Sequence, residues 1–144
     1  MINELWQVFL LAMAPISELR GSIPLGFFYD LPIWQVLIIS IIGNMIPVLI
    51  ILLSLEFISE LKIFKKFFTW LFDLTEKRHS NTFKKYRDFG LVVLTAIPLP
   101  FTGAYTASMC AFIFNIPIKR AFPLILTGVI IASIIVTIIS LNLI

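Results

Sequence analysis

The sequence predicts an all-α integral membrane protein built from two inverted repeats, each a re-entrant helical hairpin followed by one transmembrane helix, joined by a cytoplasmic amphipathic linker. Three observations predict it: the apolar composition, the gathering of basic residues into the middle of the chain, and a recurrence of glycine and proline between the halves. Of 144 residues, 60% are hydrophobic and 13% charged, with a mean hydropathy of +1.04. A soluble domain of this size could not cover so much apolar surface with so few charges, whereas a bilayer solvates it directly.

Taken in order, residues 1–30 form a first re-entrant hairpin, 31–55 a transmembrane helix, 56–88 the linker, 89–118 a second hairpin, and 119–144 a second transmembrane helix, all in one membrane domain. The stretches 31–55, 89–118 and 121–144 carry no charge and exceed the roughly 20 residues that cross about 30 Å of hydrocarbon. Residues 5–29 are similarly apolar but for Glu18 and Arg20. The start carries Glu4 rather than basic residues and no small-residue cleavage pattern, so it is expected to belong to the mature fold.

Ten of the eleven basic residues fall at Lys62, Lys65, Lys66, Lys77, Arg78, Lys84, Lys85, Arg87, Lys119 and Arg120, the other being Arg20. The positive-inside rule therefore puts the linker, Lys119 and Arg120 in the cytoplasm. Were 89–118 to cross the bilayer, Lys119 and Arg120 would face outward; a dip that returns to its own side avoids this. Its middle, Pro98-Leu99-Pro100-Phe101-Thr102-Gly103, breaks a helix twice and permits a sharp turn, although a single proline-kinked spanning helix is the alternative. The first hairpin turns likewise through the segment from Pro15 to Pro24, with Gly21 inside it and acidic Glu4 and Asp30 at its feet, as expected of an external face. Both termini are then external, and the protein is a multi-pass protein of the cell inner membrane.

The linker carries Phe57, Leu61, Phe64, Phe68 and Leu71 at helical steps, with Lys62, Lys65 and Lys66 off that line, the pattern of a helix lying in the headgroup layer. Polar His79-Ser80-Asn81-Thr82 breaks it and offers caps to a short helix from Phe83; His79 itself reads as a solvated linker residue. The net charge of +3 is thus directed at membrane lipid rather than nucleic acid.

The halves align on a few positions. Gly21 corresponds to Gly103, Leu31-Pro32-Ile33 to Ile116-Pro117-Ile118, and Ile41-Ile42-Gly43 to Leu126-Thr127-Gly128. One spanning helix separates the hairpins, so they enter from opposite faces, the arrangement of secondary transporters with broken helices meeting near the midplane.

Chemistry is expected at the hairpin tips. Ionisable side chains at membrane depth cost at least roughly 2.5 to 3.5 kcal/mol and mark pathways, and Glu18 and Arg20 sit at a tip. A helix N-terminus there favours an anion, so Arg20 is assigned to an anionic group and Glu18 to uptake and release of a proton; alternatively the two neutralise each other and pin the tip. The second tip offers Pro98, Pro100, Thr102, Gly103 and Tyr105, which carry no charge and can orient a substrate. Asn44, beside Gly43, reaches the same level, or makes an interhelical hydrogen bond worth about 0.6 to 2 kcal/mol. Gly43 and Gly128 suit close helix packing, and Trp6, Trp34 and Trp70 suit interfacial anchoring.

One cysteine, Cys110, and one histidine argue against an internal disulfide or a metal site. There is no phosphate-binding loop, zinc-protease motif or nucleophile elbow, so neither catalysis nor a cofactor is expected, and energy input falls to an ion gradient. With Glu18-Leu19-Arg20-Gly21-Ser22-Ile23-Pro24-Leu25-Gly26, Gly43-Asn44-Met45-Ile46-Pro47-Val48 and Pro98-Leu99-Pro100-Phe101-Thr102-Gly103-Ala104-Tyr105, the chain resembles the putative small multidrug export protein family over nearly its whole length. The resemblance implies drug efflux. The two opposed hairpins also look like the DedA superfamily, which implies translocation of lipid phosphates such as undecaprenyl phosphate; where that family has arginines around the second hairpin's proline, this chain has Thr95 and Phe101, leaving Arg20 alone. The expected function is a proton-linked transporter or exporter of a small or amphipathic solute, acting as a homodimer that shields hairpin backbone from lipid, with a lipid-phosphate translocase and a non-transporting membrane scaffold as the alternatives.

Overall fold

The computed structural model describes residues 2–62, 65–67, 69–70, 73, 81–98 and 102–143, with backbone alone for 81–84. Every described element is an α-helix: α1 (Ile2–Met13), α2 (Glu18–Phe28), α3 (Ile33–Glu60), α4 (Asn81–Ala96), α5 (Ala104–Ile113) and α6 (Ile118–Leu143). Of the linker's expected apolar stripe, Phe64, Phe68 and Leu71 lie outside the described residues, as do His79 and Pro100.

α3 and α6 are long and apolar enough to cross a membrane. At 1.5 Å per residue they run about 40 Å, beyond the roughly 30 Å of a hydrocarbon core. Their outer faces expose Ile38, Ile42, Leu49, Ile50 and Leu53 on α3 and Ile130, Ile134, Ile138 and Leu141 on α6, side chains that only a lipid phase would solvate at low cost. Their buried faces hold small residues instead, Ser40, Gly43 and Asn44 on α3 and Gly128, Ala132 and Ser133 on α6. Small residues let helices approach where lipid removes the usual hydrophobic drive. A Cβ added at Gly43 would stand 2.9 Å from the Phe9 carbonyl oxygen, and one at Gly128 would stand 2.8 Å from that of Val92.

The helices before each long one are short because the chain turns at identifiable points. Residues 14–17 separate α1 from α2. The sequence places a wider break, from Pro15 to Pro24, but Pro24 lies inside α2. A proline there removes only the donor to the Arg20 carbonyl, and the helix continues. At the other ends, α2 and α5 stop identically. Asp30 and Asn115 have φ of 52° and 53°, and the following Leu31 and Ile116 donate back to the Gly26 and Ala111 carbonyls at 3.1 and 2.8 Å. This is the Schellman stop, with Asp or Asn in place of glycine because a short polar side chain tolerates the left-handed region. Leu31 and Ile116 are buried, and Pro32 and Pro117 open the next helix, their carbonyls accepting from Val36 and Ala121 at 3.2 and 2.9 Å.

The neighbour relations share this regularity. α1 packs on α2 and α3, α4 on α5 and α6, α2 on α3 and α6, α5 on α6 and α3, and α3 touches α6. Exchanging the first three helices for the last three leaves that set unchanged. At its centre lie Val8, Ile23, Val36, Val48, Ala104, Ala107, Ala121, Ile125 and Val129, and a Ser22 to Ser40 hydroxyl bond of 2.9 Å joins α2 to α3. α3 and α6 thus each hold the second short helix of the other half, which brings the two turns face to face.

Candidate functional site

The turn at 14–18 meets Ile97, Pro98 and residues 102–104 of the other half. Glu18 begins α2 with φ of 43°, a left-handed conformation costing on the order of 1 to 2 kcal/mol, and its side chain is buried. Its carboxylate accepts hydrogen bonds from the backbone N–H groups of Tyr105 and Ala104. These are orphan donors in the first turn of α5, where the helix dipole favours an anion. The anion that the sequence expects at a hairpin tip is therefore supplied by the opposite tip.

The approach is close enough to dictate Gly103. A Cβ there would fall 2.3 Å from Glu18 Oε2, and its backbone, φ 131° and ψ −164°, lies in a region essentially reserved for glycine.

Two further bonds cross the junction. Arg20 Nη2 donates to the Thr102 carbonyl at 3.1 Å, and the Tyr105 hydroxyl donates to the Met13 carbonyl at the end of α1. Arg20 also acts on the Glu18 charge through space. The Thr102 hydroxyl donates to the Ile97 carbonyl at 2.8 Å, and the Ser17 hydroxyl to that of Leu11 at 2.8 Å, so each turn is also braced on its own side.

Beneath the junction lies a cavity of about 10 Å³, lined among others by Glu18, Arg20, Asn44, Thr102 and Gly103. That is near the least that admits one water molecule. Asn44 enters from α3, 1% exposed, and its Oδ1 has no hydrogen-bond partner among the described residues. It does not make the interhelical bond through that atom.

Glu18, Arg20, Asn44, Pro98, Thr102 and Gly103 are therefore gathered around one cavity, and Tyr105 joins through its backbone and its hydroxyl. Gly21 stands apart: its Cβ position faces Ser17 Cβ at 2.8 Å and Leu11 at 3.2 Å, in the packing of α2 on α1. Pro100 lies outside the described residues. Sequence reasoning named Thr95 only as the place of a DedA arginine and left it out of the site, yet it is buried, lines the cavity and bonds the Leu91 carbonyl at 2.8 Å. Its signal was a lone polar residue three positions before Pro98 in an apolar arm. It also missed the backbone partners, the Met13 carbonyl and the Ala104 N–H, which no side-chain pattern announces.

Residues 18–135 match the family described as putative small multi-drug export protein. The chain belongs to this family. The matched range begins at Glu18 and takes in Arg20, Asn44, Thr102, Gly103, Tyr105 and most of α6, whereas Met13 and the turn at 14–17 precede it. No curated protein and no solved structure matches the chain. As a member of the small multi-drug export family with two helices fit to cross a bilayer, it is a membrane protein of a transport class rather than an enzyme class.

Proposed function

We propose that this export-family chain is a proton-linked exporter of a small or amphipathic solute, with the tip junction as its gate and Glu18 as its proton carrier. In this reading the chain is two inverted repeats, each a re-entrant hairpin and a spanning helix, set in the inner membrane with the linker in the cytoplasm and acting as a homodimer. The matched helix stops at Asp30 and Asn115 and the exchange of neighbours between halves support the repeat. Two copies of one unit in opposite orientations would produce both.

The observation that carries the mechanism is the capping of α5 by Glu18. An ionised carboxylate accepting from two N–H groups at a helix N-terminus makes charge-assisted bonds, roughly twice as strong as neutral ones. A proton delivered to that carboxylate removes the charge, weakens the cap and lets the tips part. Arg20 still holds the Thr102 carbonyl, so the tips hinge rather than separate. The cavity of about 10 Å³ is too small for any solute, which makes the present arrangement the closed one, and Asn44 Oδ1 is the acceptor a passing donor group would meet next. Nothing at the junction favours the lipid-phosphate or scaffold readings over this one.

The test is flux of a lipophilic cation in proteoliposomes under an imposed pH gradient. Glu18→Gln keeps the shape and can still accept from the two N–H groups, but it cannot carry a proton. It should abolish gradient-driven flux while leaving binding of the cation measurable. Flux at the parent rate in Glu18→Gln would remove the carboxyl from the mechanism.

A further inference from the structure

The two halves differ at the feet of their hairpins. Gly43 lies against the Phe9 carbonyl and Ala12, and Gly128 against the Val92 carbonyl and Thr95, so α4 corresponds to α1 shifted by about 83 positions (92 − 9 and 95 − 12). By that register Gly90 stands where α1 has Gln7, and by the matched stops at Asp30 and Asn115 Phe114 stands where α2 is followed by Tyr29. In the first hairpin the Tyr29 hydroxyl donates to Gln7 Oε1 and closes the space between the arms. In the second, nothing lies within 4 Å of a Cβ placed on Gly90. The arms instead border a groove of about 420 Å³, lined by Tyr86, Gly90, Leu91, Leu94, Cys110 and Phe114, with Arg87 at one end.

That end is charged in a particular way. Asp88 receives Arg87 Nη2 at 3.3 Å and Arg120 Nη2 at 2.6 Å, and Arg87 Nη1 also donates to the Phe114 carbonyl at 3.1 Å. One carboxylate between two guanidiniums leaves an excess positive charge. The Arg87 side chain is 7% exposed and committed to its partners, whereas that of Arg120 is 56% exposed. Lys85 and Lys119 are exposed as well. From Arg87 to Leu94 the groove follows about 10 Å of helix, apolar away from a cationic end.

We infer that this groove binds an anionic phospholipid, one acyl chain lying between α4 and α5 and the phosphate resting against Arg120. An apolar-walled groove of about 420 Å³ ending at charged Arg87 suits part of one hydrocarbon chain with an anionic head. A second copy of this chain, at net charge +3, would bring like charge to the cationic end. Within a bilayer the apolar walls have no use for water, and the excess charge selects a headgroup of net negative charge. The inference requires only that the Arg87 end of α4 reach a headgroup layer, in either leaflet, and is independent of proton linkage.

The single cysteine supplies a probe, because Cys110 is in the groove and partly accessible. Detergent-purified protein is titrated with phosphatidylglycerol, phosphatidylcholine or glycerol phosphate while maleimide labelling of Cys110 and thermal stability are followed, with native mass spectrometry counting the retained lipid. One phosphatidylglycerol per chain should be retained, slow the labelling and raise the melting temperature. Phosphatidylcholine should bind more weakly and glycerol phosphate should do nothing. Arg120→Gln should weaken phosphatidylglycerol about fivefold, as expected of one basic residue at a headgroup layer. Gly90→Leu, which enters open space, should expel the lipid. If Gly90→Leu does not fold, Cys110 protection in the unaltered protein decides alone. Equal protection by glycerol phosphate would make this a free-anion site, and a change of oligomeric state in Gly90→Leu would make it an interface between copies; either result overturns the assignment, as does undiminished retention of lipid by Gly90→Leu.

Discussion

Gly103→Ala should be among the most damaging single-methyl additions in the chain, and the structure gives its size. Two costs add. The backbone at φ 131° and ψ −164° penalises any side chain by about 1 to 3 kcal/mol. The new Cβ, 2.3 Å from Glu18 Oε2, pushes the carboxylate off the Ala104 and Tyr105 N–H groups. Losing hydrogen bonds to a charged group costs about 1.5 to 3 kcal/mol more. Some relaxation is available at a turn, so about 3 kcal/mol is expected, a large share of the 5 to 15 kcal/mol that holds a domain together. Equilibrium unfolding in mixed micelles measures it, with Gly90→Ala as the reference. A Cβ at Gly90 meets nothing, and alanine in a helix gains about 0.4 to 1 kcal/mol. The second cost runs through Glu18, so Gly103→Ala should cost about 1.5 kcal/mol less in a Glu18→Ala background than alone. Loss below about 1 kcal/mol for Gly103→Ala, or full additivity with Glu18→Ala, would refute the claim that the carboxylate sets the identity of residue 103.

Asn115→Gly should leave stability within about 0.5 kcal/mol of the parent, while Asn115→Val should cost about 1 to 2 kcal/mol or more, because φ of 53° excludes a branched side chain; chemical denaturation of both variants checks the helix stop. Topology is settled by labelling: with Cys110 replaced, cysteines at Ser80 and Leu143 should react with impermeant reagents from the cytoplasmic and external sides respectively. Reaction of both from one side would replace the two-span arrangement with four spans.

The long helices were legible because nothing in residues 31–55 or 121–144 competes with a spanning helix; the structure carries α3 on to Glu60, into polar sequence where hydropathy gives no further signal. The Leu31-Pro32 and Ile116-Pro117 joints were visible through proline, but the residue that turns the chain is the one before, Asp30 or Asn115. An acidic residue beside a membrane reads first as a charge marking a face, and its backbone role appears only with φ. At the tips the composition of the site was readable, since Glu18 and Arg20 stand alone in apolar surroundings. Their partners were not: Glu18 meets Ala104 and Tyr105, and Arg20 meets Thr102, through main-chain atoms that every residue carries. A pairing made by backbone groups leaves no trace in side-chain pattern, except indirectly in Gly103, which the space beside Glu18 requires.

The distance in sequence between the tips has a consequence for how the protein is made. Arg20 and Thr102 are 82 positions apart, and at about 5 to 20 residues per second the ribosome needs roughly 4 to 16 s to travel between them. For that interval the first hairpin exists without the α5 N-terminus that receives its carboxylate. Until then Glu18 has Arg20 of its own helix as a charged neighbour but lacks the two N–H donors of α5. The contacts between the two turns can therefore form only when the second half has been made, and the joining of the halves is a late event in assembly.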